Sequence, residues 1–196
     1  ELFLTYAGTV HDVAQLQGLK DVAAALSRLK LQGVDACLRI VTPNVCVEQI
    51  RNQFEGDHVQ FIACDNHEDV IAMVKQSSAL LVPIEFDAIL GKFVRYSMPA
   101  KICAYAASGV PMLVYGPNGV PPIGLAKRAG IGIPVTSRDP EVLDDALAKV
   151  LTDRTVRKRI SEAAYRYACS HCDRDVVAAN FQKTLRKTVS RRQANG

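Results

Sequence analysis

A lysine near the start of a predicted helix is the feature of this sequence most suited to binding an anion. Ser97 is a favourable N-cap, and Pro99 suits the first helical turn, where its missing N–H is not needed. Lys101 then faces the positive end of the helix dipole, an unfavourable placement by ~0.3–1 kcal/mol. A phosphate held by the free amides and the ammonium would reverse that penalty. We expect Ser97, Met98 and Lys101 to form an anion site, with Arg95 adding charge; the alternative is a solvent-facing lysine.

Two glycine-containing loops after predicted strands could bring backbone amides to a ligand. Gly8 follows the first strand, where glycine allows a sharp turn and close approach of a ligand, and Thr9 and His11 come next. Residues 116–119 read Gly-Pro-Asn-Gly after the fifth strand, a composition typical of tight turns. Either loop could equally be an ordinary strand-to-helix turn. Neither contains G-x-G-x-x-G, which disfavours a nicotinamide-dependent oxidoreductase.

Two carboxylates follow the fourth predicted strand. Glu85 and Asp87 could hydrogen-bond sugar hydroxyls or take part in acid–base chemistry. Acidic residues are also common in such loops without any catalytic role. We retain Glu85 as the candidate catalytic carboxylate, beside Lys101 as the candidate catalytic cation.

Short apolar runs alternate with longer segments of helical spacing, and this alternation predicts the fold. The runs are nearly continuous, as expected for parallel strands with both faces covered. Predicted strands are Leu2–Ala7, Ala36–Thr42, Val59–Ala63, Ala79–Pro83, Met112–Tyr115 and residues 130–135. Predicted helices are residues 19–31, 45–54, 68–76, 99–108, 119–129 and 141–151, followed by two C-terminal helices at 157–168 and 173–187. We predict one α/β domain with a doubly wound, Rossmann-like parallel sheet, whose ligands bind beyond the carboxyl ends of the strands.

Composition excludes several classes of protein. The 196 residues are 48% hydrophobic and 22% charged, which is typical of a globular domain and not of a disordered chain. No apolar stretch approaches the ~20 residues that span a membrane. The sequence starts at Glu1 and enters a strand at once, so we expect residues 1–196 to be a domain cut from a longer chain. Six Phe, six Tyr and no Trp, without a basic patch among them, disfavour nucleic-acid binding.

The net charge of +4 is concentrated near the C-terminus. These residues predict a solvated helix face and tail; attraction to an anionic membrane surface or an acidic substrate is the alternative. The basic residues are Arg154, Arg157, Lys158, Arg159, Lys183, Arg186, Lys187, Arg191 and Arg192.

Six cysteines do not predict a disulfide scaffold. Cys37, Cys64 and Cys103 lie in apolar contexts, where a free cysteine behaves as a small core residue. Cys169 and Cys172 have the spacing of half a zinc site, but no second pair of ligands follows, so we expect no metal. This pattern of cysteines fits a reducing, cytoplasmic compartment. Peripheral attachment at the inner membrane would be compatible with that location.

Several segments together resemble one enzyme family. Residues 97–111 read SMPAKICAYAASGVP, and residues 115–117 read YGP. They are similar to the stretch S-x-P-x-K-L-x-E-Y-x-A-S-G-x-P followed by Y-G-P in retaining nucleotide-sugar glycosyltransferases, the group 1 or family-4-like enzymes. Residues 59–83 and residues 6–9 also resemble the donor-binding, C-terminal domain of that family.

The resemblance implies one half of a GT-B architecture, with the acceptor domain upstream and the last two helices packing partly toward it. Gly8, Thr9 and Lys101 would then hold the donor diphosphate, and the nucleobase would lie near Ile62, Ala63 and Cys64. No cofactor is implied besides the nucleotide-sugar donor. The partner would be an acceptor glycan or lipid-linked acceptor in glycan or polysaccharide biosynthesis.

One departure from the family pattern affects the donor site. Ala104 stands where the family has a glutamate that binds the donor's ribose, and losing such a buried hydrogen bond typically costs ~1–3 kcal/mol. Gln17-Gly18 stands where a lysine-glycine is common. The leading hypothesis is a metal-independent glycosyltransferase whose isolated domain is inactive. The alternative is a degenerate, non-catalytic nucleotide-sugar-binding module or partner subunit.

Overall fold

The computed structural model describes residues 1–87 and 96–194, which form an α/β domain around one parallel sheet. The strands are β1 (Leu2–Ala7), β2 (Ala36–Thr42), β3 (Val59–Ala63), β4 (Ala79–Pro83), β5 (Met112–Tyr115) and β6 (Ile133–Val135). The helices are α1 (Gln17–Leu31), α2 (Asn44–Ile50), α3 (His67–Lys75), α4 (Lys101–Ser108), α5 (Pro121–Ala129), α6 (Pro140–Thr152), α7 (Arg154–His171) and α8 (Arg174–Ala194). A π-helical turn at Asp12–Leu16 leads into α1, and a 3-10 turn at Arg51–Gln53 follows α2.

The sheet confirms the predicted fold class. Its strand order is β3-β2-β1-β4-β5-β6, with every neighbouring pair parallel. The chain winds outward from β1 in one direction and, after returning to β4, outward in the other. The order therefore reverses between β1 and β4, where ligands of doubly wound sheets bind at the carboxyl ends of the strands.

Helices cover both faces of the sheet, which explains the continuous apolar strands. On one face α1 and α6 pack against residues such as Leu81 and Leu113. On the other face α3, α4, α5 and α7 pack against Leu80, Val82 and Val114. Successive residues of a strand point to opposite faces, so each strand needs apolar side chains at consecutive positions.

Several predicted boundaries differ from the structure, and single residues explain two of them. β6 begins at Ile133, not at residue 130, because Gly130 ends α5 in the left-handed conformation with φ 66°. α7 begins at Arg154, three residues before the prediction, because Asp153 caps it. The Asp153 carboxylate accepts hydrogen bonds from the amides of Thr155 and Val156, both at 2.9 Å.

The cysteine prediction also needs correction. Cys103 of α4 and Cys172 at the end of α7 form a disulfide bond across 69 residues of sequence, so Cys103 is not a free core cysteine. Cys172 is consequently not available as a zinc ligand beside Cys169. Sequence spacing gave no sign of this bond because it depends on how α4 packs against α7.

Candidate functional site

The carboxyl end of β1 and the start of α4 meet at the point where the strand order reverses. Gly8 follows β1 directly, and Lys101 is the first residue of α4. A Cβ atom added at Gly8 would lie 2.8 Å from the Lys101 Nζ, and Gly8 has a φ of 136°. Any other residue at this position would be strained, and its Cβ would displace the flexible end of the lysine side chain. Gly8 therefore leaves room for the Lys101 ammonium beside β1.

The Lys101 side chain is half-buried, and its ammonium has no carboxylate partner among the described residues. Its Nζ lies 3.8 Å from the centroid of the Tyr6 ring, in a cation–π contact. None of the ion pairs formed by the described residues includes Lys101, and residues 88–95, outside the described part of the chain, contain no Asp or Glu. Burial lowers the pKa of Lys101 to about 7. An anion that docks here would supply the missing charge and return the lysine to its protonated form.

Two buried tyrosines hold the lysine corner, which is the contact between Gly8 and Lys101, in place. The Tyr6 hydroxyl donates to the Thr9 carbonyl oxygen at 2.6 Å, and the Tyr105 hydroxyl accepts from the Ala7 amide at 2.8 Å. Burial raises the pKa of both tyrosines above the ordinary value, so both stay neutral. The sequence prediction missed these roles. The available signal was spacing, because Tyr105 lies four residues after Lys101 and therefore on the same helix face.

The Gly8 amide is already engaged. It donates to the Val41 carbonyl oxygen at 2.9 Å and so extends the pairing of β1 with β2 by one residue. Gly8 can let a ligand approach closely, but the expected contact from its amide is not available. Thr9 is exposed next to it, and its amide has no partner within residues 1–87 and 96–194. Thr9 is thus the better amide donor of the two.

The helix that carries Lys101 begins later than predicted. α4 starts at Lys101 with Ala100 as its N-cap, and no side chain caps it. Ser97 is therefore not the cap. Pro99 explains why Ser97 does not cap the helix, because a proline disfavours helical backbone at the residue before it, here Met98. Lys101 consequently lies closer to the helix start than the sequence implied.

Ser97 and Met98 lie away from the lysine. Both are exposed, and Ser97 lines a separate cavity of about 230 Å³ together with Pro83 and Ile84 at the end of β4. Neither residue lines the cavity that contains Lys101.

A cavity of about 540 Å³ opens between α3 and α4 next to this corner. Lys101, Ala104 and Tyr105 line it from α4, and Ala7 lines it from the end of β1. The opposite wall comes from α3 and is formed by His67, Val70, Ile71, Val74 and Lys75. No carboxylate is among the lining residues of the described chain, and most of the wall is apolar. Such a cavity suits a flat apolar group attached to an anion.

Ile62, Ala63 and Cys64 lie at the end of β3, just before α3. Ala63 is exposed, while Ile62 and Cys64 are half-buried. The Cys64 amide donates to the Thr42 carbonyl oxygen at 3.0 Å, and none of the three residues lines the 540 Å³ cavity. The wall expected from this segment comes from α3, one loop further along the chain.

Glu85 holds a turn in the structure. It is 7% exposed, and its Oε1 accepts hydrogen bonds from the amides of Phe86 at 2.8 Å and Asp87 at 3.2 Å. It lines neither the Lys101 cavity nor the Ser97 cavity. Asp87 is exposed, and Arg95 lies outside the described residues.

The remaining candidates have local structural roles. His11 is exposed, and its amide donates to the Gln15 side chain at 3.0 Å. The Gly116 amide donates to the Val135 carbonyl oxygen at 3.0 Å, so that loop closes onto β6. In the part of the chain that the structure describes, no three His, Cys, Asp or Glu side chains gather in a group that could hold a metal ion. None of the described helices is long and apolar enough to cross a membrane.

The sheet order, the site at its point of reversal and the flanking helices define the Rossmann-like half of a GT-B fold. The model of the family Glycosyl transferases group 1 matches residues 5–167, and the chain belongs to this family. The family is one of glycosyltransferases, which confirms the class predicted from residues 97–117. No curated protein sequence matches the chain.

Solved structures show the same fold at low sequence identity. Alpha,alpha-trehalose 6-phosphate synthase from Burkholderia multivorans matches 100% of this chain with a TM-score of 0.69 at 15% identity, over 44% of its own length. Sucrose-phosphate synthase from Thermosynechococcus elongatus matches 97% of this chain with a TM-score of 0.70 at 15% identity, over 46% of its own length. The chain thus spans less than half of these two proteins.

A structure of a single domain matches over most of both chains. The C-terminal domain of a glycosyl transferase group 1 family protein from Francisella tularensis matches 88% of this chain and 87% of its own, with a TM-score of 0.62 at 11% identity.

Proposed function

We propose that this chain binds the diphosphate of a nucleotide sugar at Lys101 and forms the donor half of an enzyme that transfers the sugar to an acceptor hydroxyl. The observation that carries the proposal is the half-buried Lys101 ammonium, which has no carboxylate partner in residues 1–87 and 96–194 and lies against Gly8 where the strand order reverses. Burying a charge is unfavourable unless an opposite charge joins it. A diphosphate is the anion that glycosyl transfer from such a donor produces.

The proposed catalytic contribution of Lys101 is electrostatic. As the bond between sugar and diphosphate breaks, negative charge grows on the leaving oxygen. A cation already held in a low-dielectric site stabilises that charge with little reorganisation. The exposed Thr9 amide is the second proposed donor to the diphosphate, and Gly8 leaves room for it to approach. The proposed mechanism uses no metal, because these groups supply the positive potential.

The 540 Å³ cavity between α3 and α4 is the proposed position of the nucleoside. Its apolar wall suits a base, and Lys101 at one end suits the attached diphosphate. Ile62, Ala63 and Cys64 remain proposed base contacts, provided that the base extends beyond the α3 wall. Ser97 and Met98 remain proposed ligand contacts, although they lie on a neighbouring surface. Glu85 is better suited to holding its turn than to acid–base chemistry, since Oε1 already accepts two hydrogen bonds.

The acceptor and the location are further parts of the proposal. An acceptor glycan or lipid-linked acceptor would bind mainly to another domain, since this chain spans less than half of the larger enzymes that share its fold. We place the enzyme in the cytoplasm. Basic α8, with the exposed side chains Val177, Phe181 and Leu185, is the proposed peripheral contact with an anionic membrane.

A panel of nucleoside diphosphates tests the donor site directly. We expect one of UDP, GDP or ADP to raise the melting temperature of the chain, because a ligand that binds only the folded state stabilises it by ~2.7 kcal/mol at 100 times its Kd. Inorganic phosphate at the same concentration is the control for nonspecific anion effects. If no nucleoside diphosphate raises the melting temperature, the proposed function is wrong.

The alanine at position 104 favours a second candidate function. A degenerate, non-catalytic nucleotide-sugar-binding module or partner subunit would retain the lysine corner but lack the carboxylate expected at position 104. Sugar transfer by the full-length protein separates the two functions. Donor binding without turnover on any acceptor glycan would favour the module.

A further inference from the structure

Three cysteines meet beside α4, on the side facing away from β1. Cys103 of α4 is bonded to Cys172 at the end of α7, and Cys169 lies one helical turn before Cys172. All three line a cavity of about 310 Å³ between the two helices. This cavity is separate from the one that contains Lys101.

The disulfide is open to solvent. Cys103 is exposed and Cys172 is half-buried, whereas the free cysteines Cys37 and Cys46 are buried in the core. Solvent access at Cys103 lets a thiolate approach the bond, and exposed disulfides are the ones most readily exchanged. The bond therefore lies where a soluble dithiol can reach it.

The disulfide is attached to α4, the helix that carries Lys101. Cys103 lies two residues after Lys101, and Ala104 and Ala107 line both the disulfide cavity and the Lys101 cavity. One face of α4 thus lines both cavities. A shift of α4 toward or away from α7 would change the shape of both.

Small side chains line this seam. The buried side chains of α7 on this side are Ala164 and Ala168, and those of α4 include Ala106. Alanine side chains let the two helices approach closely, but each buries little apolar area. The unfilled cavity between the helices leaves room for α4 to shift, and the disulfide links α4 covalently to α7.

We propose that the Cys103–Cys172 bond is a redox site that sets the position of α4 and thereby the affinity of the Lys101 cavity for its nucleotide. Reduction by a dithiol proceeds in two exchange steps. One thiolate of the reductant attacks a sulfur of the bond and releases the other cysteine as a thiol. The second thiol of the reductant then closes its own disulfide and releases the remaining cysteine. Two electrons and two protons pass from the dithiol to the protein, and a dithiol oxidised to its disulfide leaves.

This inference rests on the proposed function only for its effect on nucleotide affinity. Its effect on α4 can be measured without any nucleotide. In the reduced chain we expect faster amide hydrogen exchange in residues 101–108 and a melting temperature lower by roughly 5–10 °C, from the usual contribution of a disulfide in a chain of this size. We expect at least threefold weaker binding of the nucleoside diphosphate that binds best.

The experiment compares the oxidised chain with the chain treated by dithiothreitol under native conditions. Thiol alkylation followed by peptide mass spectrometry should find Cys103 and Cys172 blocked before treatment and modified after it. The double variant Cys103→Ser/Cys172→Ser should behave as the reduced chain and ignore dithiothreitol. The matched control Cys169→Ser should respond as the parent does.

Two results would overturn the inference. One is alkylation of Cys103 and Cys172 in the oxidised chain, which would show that the bond does not form. The other is reduction that leaves hydrogen exchange in residues 101–108 unchanged. If reduction loosens α4 but no nucleoside diphosphate binds in either state, the redox site stands and the proposed function fails.

Discussion

The lysine corner and the basic C-terminal helices are the two cationic regions of this chain, and they differ in burial. On α7 and α8 the side chains of Lys158, Lys183, Arg186 and Lys187 are exposed, and Lys158 is 3.9 Å from Glu162. Lys101 is one charge, half-buried against Tyr6 and without an acidic partner among the described residues. Water and salt screen exposed charges, whereas a charge partly removed from water acts at lower dielectric. One half-buried lysine is therefore a stronger candidate for anion binding than many exposed ones.

Removal of Lys101 should have the largest effect on nucleotide affinity, and removal of an exposed lysine a much smaller one. We expect Lys101→Ala to weaken UDP or GDP binding by tenfold or more, about 1.4 kcal/mol, because the buried anion loses its counter-charge. Isothermal titration calorimetry measures the change. The matched control is Lys158→Ala, which removes one exposed lysine and should change the affinity less than twofold.

The stability of the Lys101→Ala variant shows whether weaker binding comes from the lost charge or from unfolding. The substitution removes a half-buried cation that has no carboxylate partner in the described part of the chain, so the free energy of unfolding should not fall as it would for a core residue. A variant that is well folded, as judged by its melting temperature, yet binds nucleotide like the parent would remove Lys101 from the site.

The pH dependence of nucleotide binding should be the next largest effect. The free lysine has a pKa of about 7, so it is mostly neutral between pH 7 and pH 9, whereas a bound diphosphate favours the ammonium form. Binding should therefore take up a proton, and the affinity should fall by up to about tenfold per pH unit over that range. Calorimetry at pH 8 in two buffers of different ionisation enthalpy measures the proton uptake.

The free energy of unfolding of the nucleotide-free protein should rise with pH, whereas the nucleotide affinity falls. The pKa of Lys101 is lower in the folded than in the unfolded chain, so between about pH 7 and the ordinary lysine pKa of 10.5 the unfolded chain binds more protons. The contribution of this group to the free energy of unfolding rises across that window, by at most about 1.4 kcal/mol per pH unit, and is lost again as the pH falls toward 7. Lys101→Met should abolish both trends; trends that persist in that variant would assign them to another group.

The sheet could be predicted from the sequence because burial on two faces leaves a direct pattern. Runs such as Ala79–Pro83 and Met112–Tyr115 are apolar at every position, and the structure begins and ends these strands where the pattern does. The pattern fails where a single backbone conformation decides the boundary. Gly130 takes the left-handed conformation that ends α5, and the apolar residues around it cannot signal that.

The candidate site could be predicted less completely, since it depends on contacts across the chain. The type and local position of Lys101 identify it as an anion ligand, and Gly8 follows from its position after β1. The tyrosine hydroxyls of Tyr6 and Tyr105, the Gly8 amide bonded to Val41 and the Cys103–Cys172 bond arise only when distant segments pack. Local spacing places Tyr105 on the helix face of Lys101, but it does not identify the distant partners of these groups.

A carboxylate at position 104 should have the smallest of the three effects on nucleotide affinity. Ala104 is exposed to the Lys101 cavity, and no lining residue of the described chain is acidic. In Ala104→Glu a carboxylate can accept hydrogen bonds from the ribose hydroxyls, each worth about 1 kcal/mol, so we expect roughly fivefold tighter binding of UDP or GDP. Calorimetry with the parent and the variant measures it.

The same carboxylate would lie three residues from Lys101 on one helix face, where it would favour the charged lysine. That effect would tighten the binding of any diphosphate, so inorganic pyrophosphate separates it from a ribose contact. A gain with UDP that pyrophosphate does not share assigns the new contact to the ribose, and Ala104→Gln, which keeps an acceptor oxygen without the charge, should retain part of it. An equal gain with both ligands would assign the whole effect to Lys101. Unchanged or weaker UDP binding would mean that the ribose does not lie against α4, and the cavity between α3 and α4 would then hold some other part of the ligand.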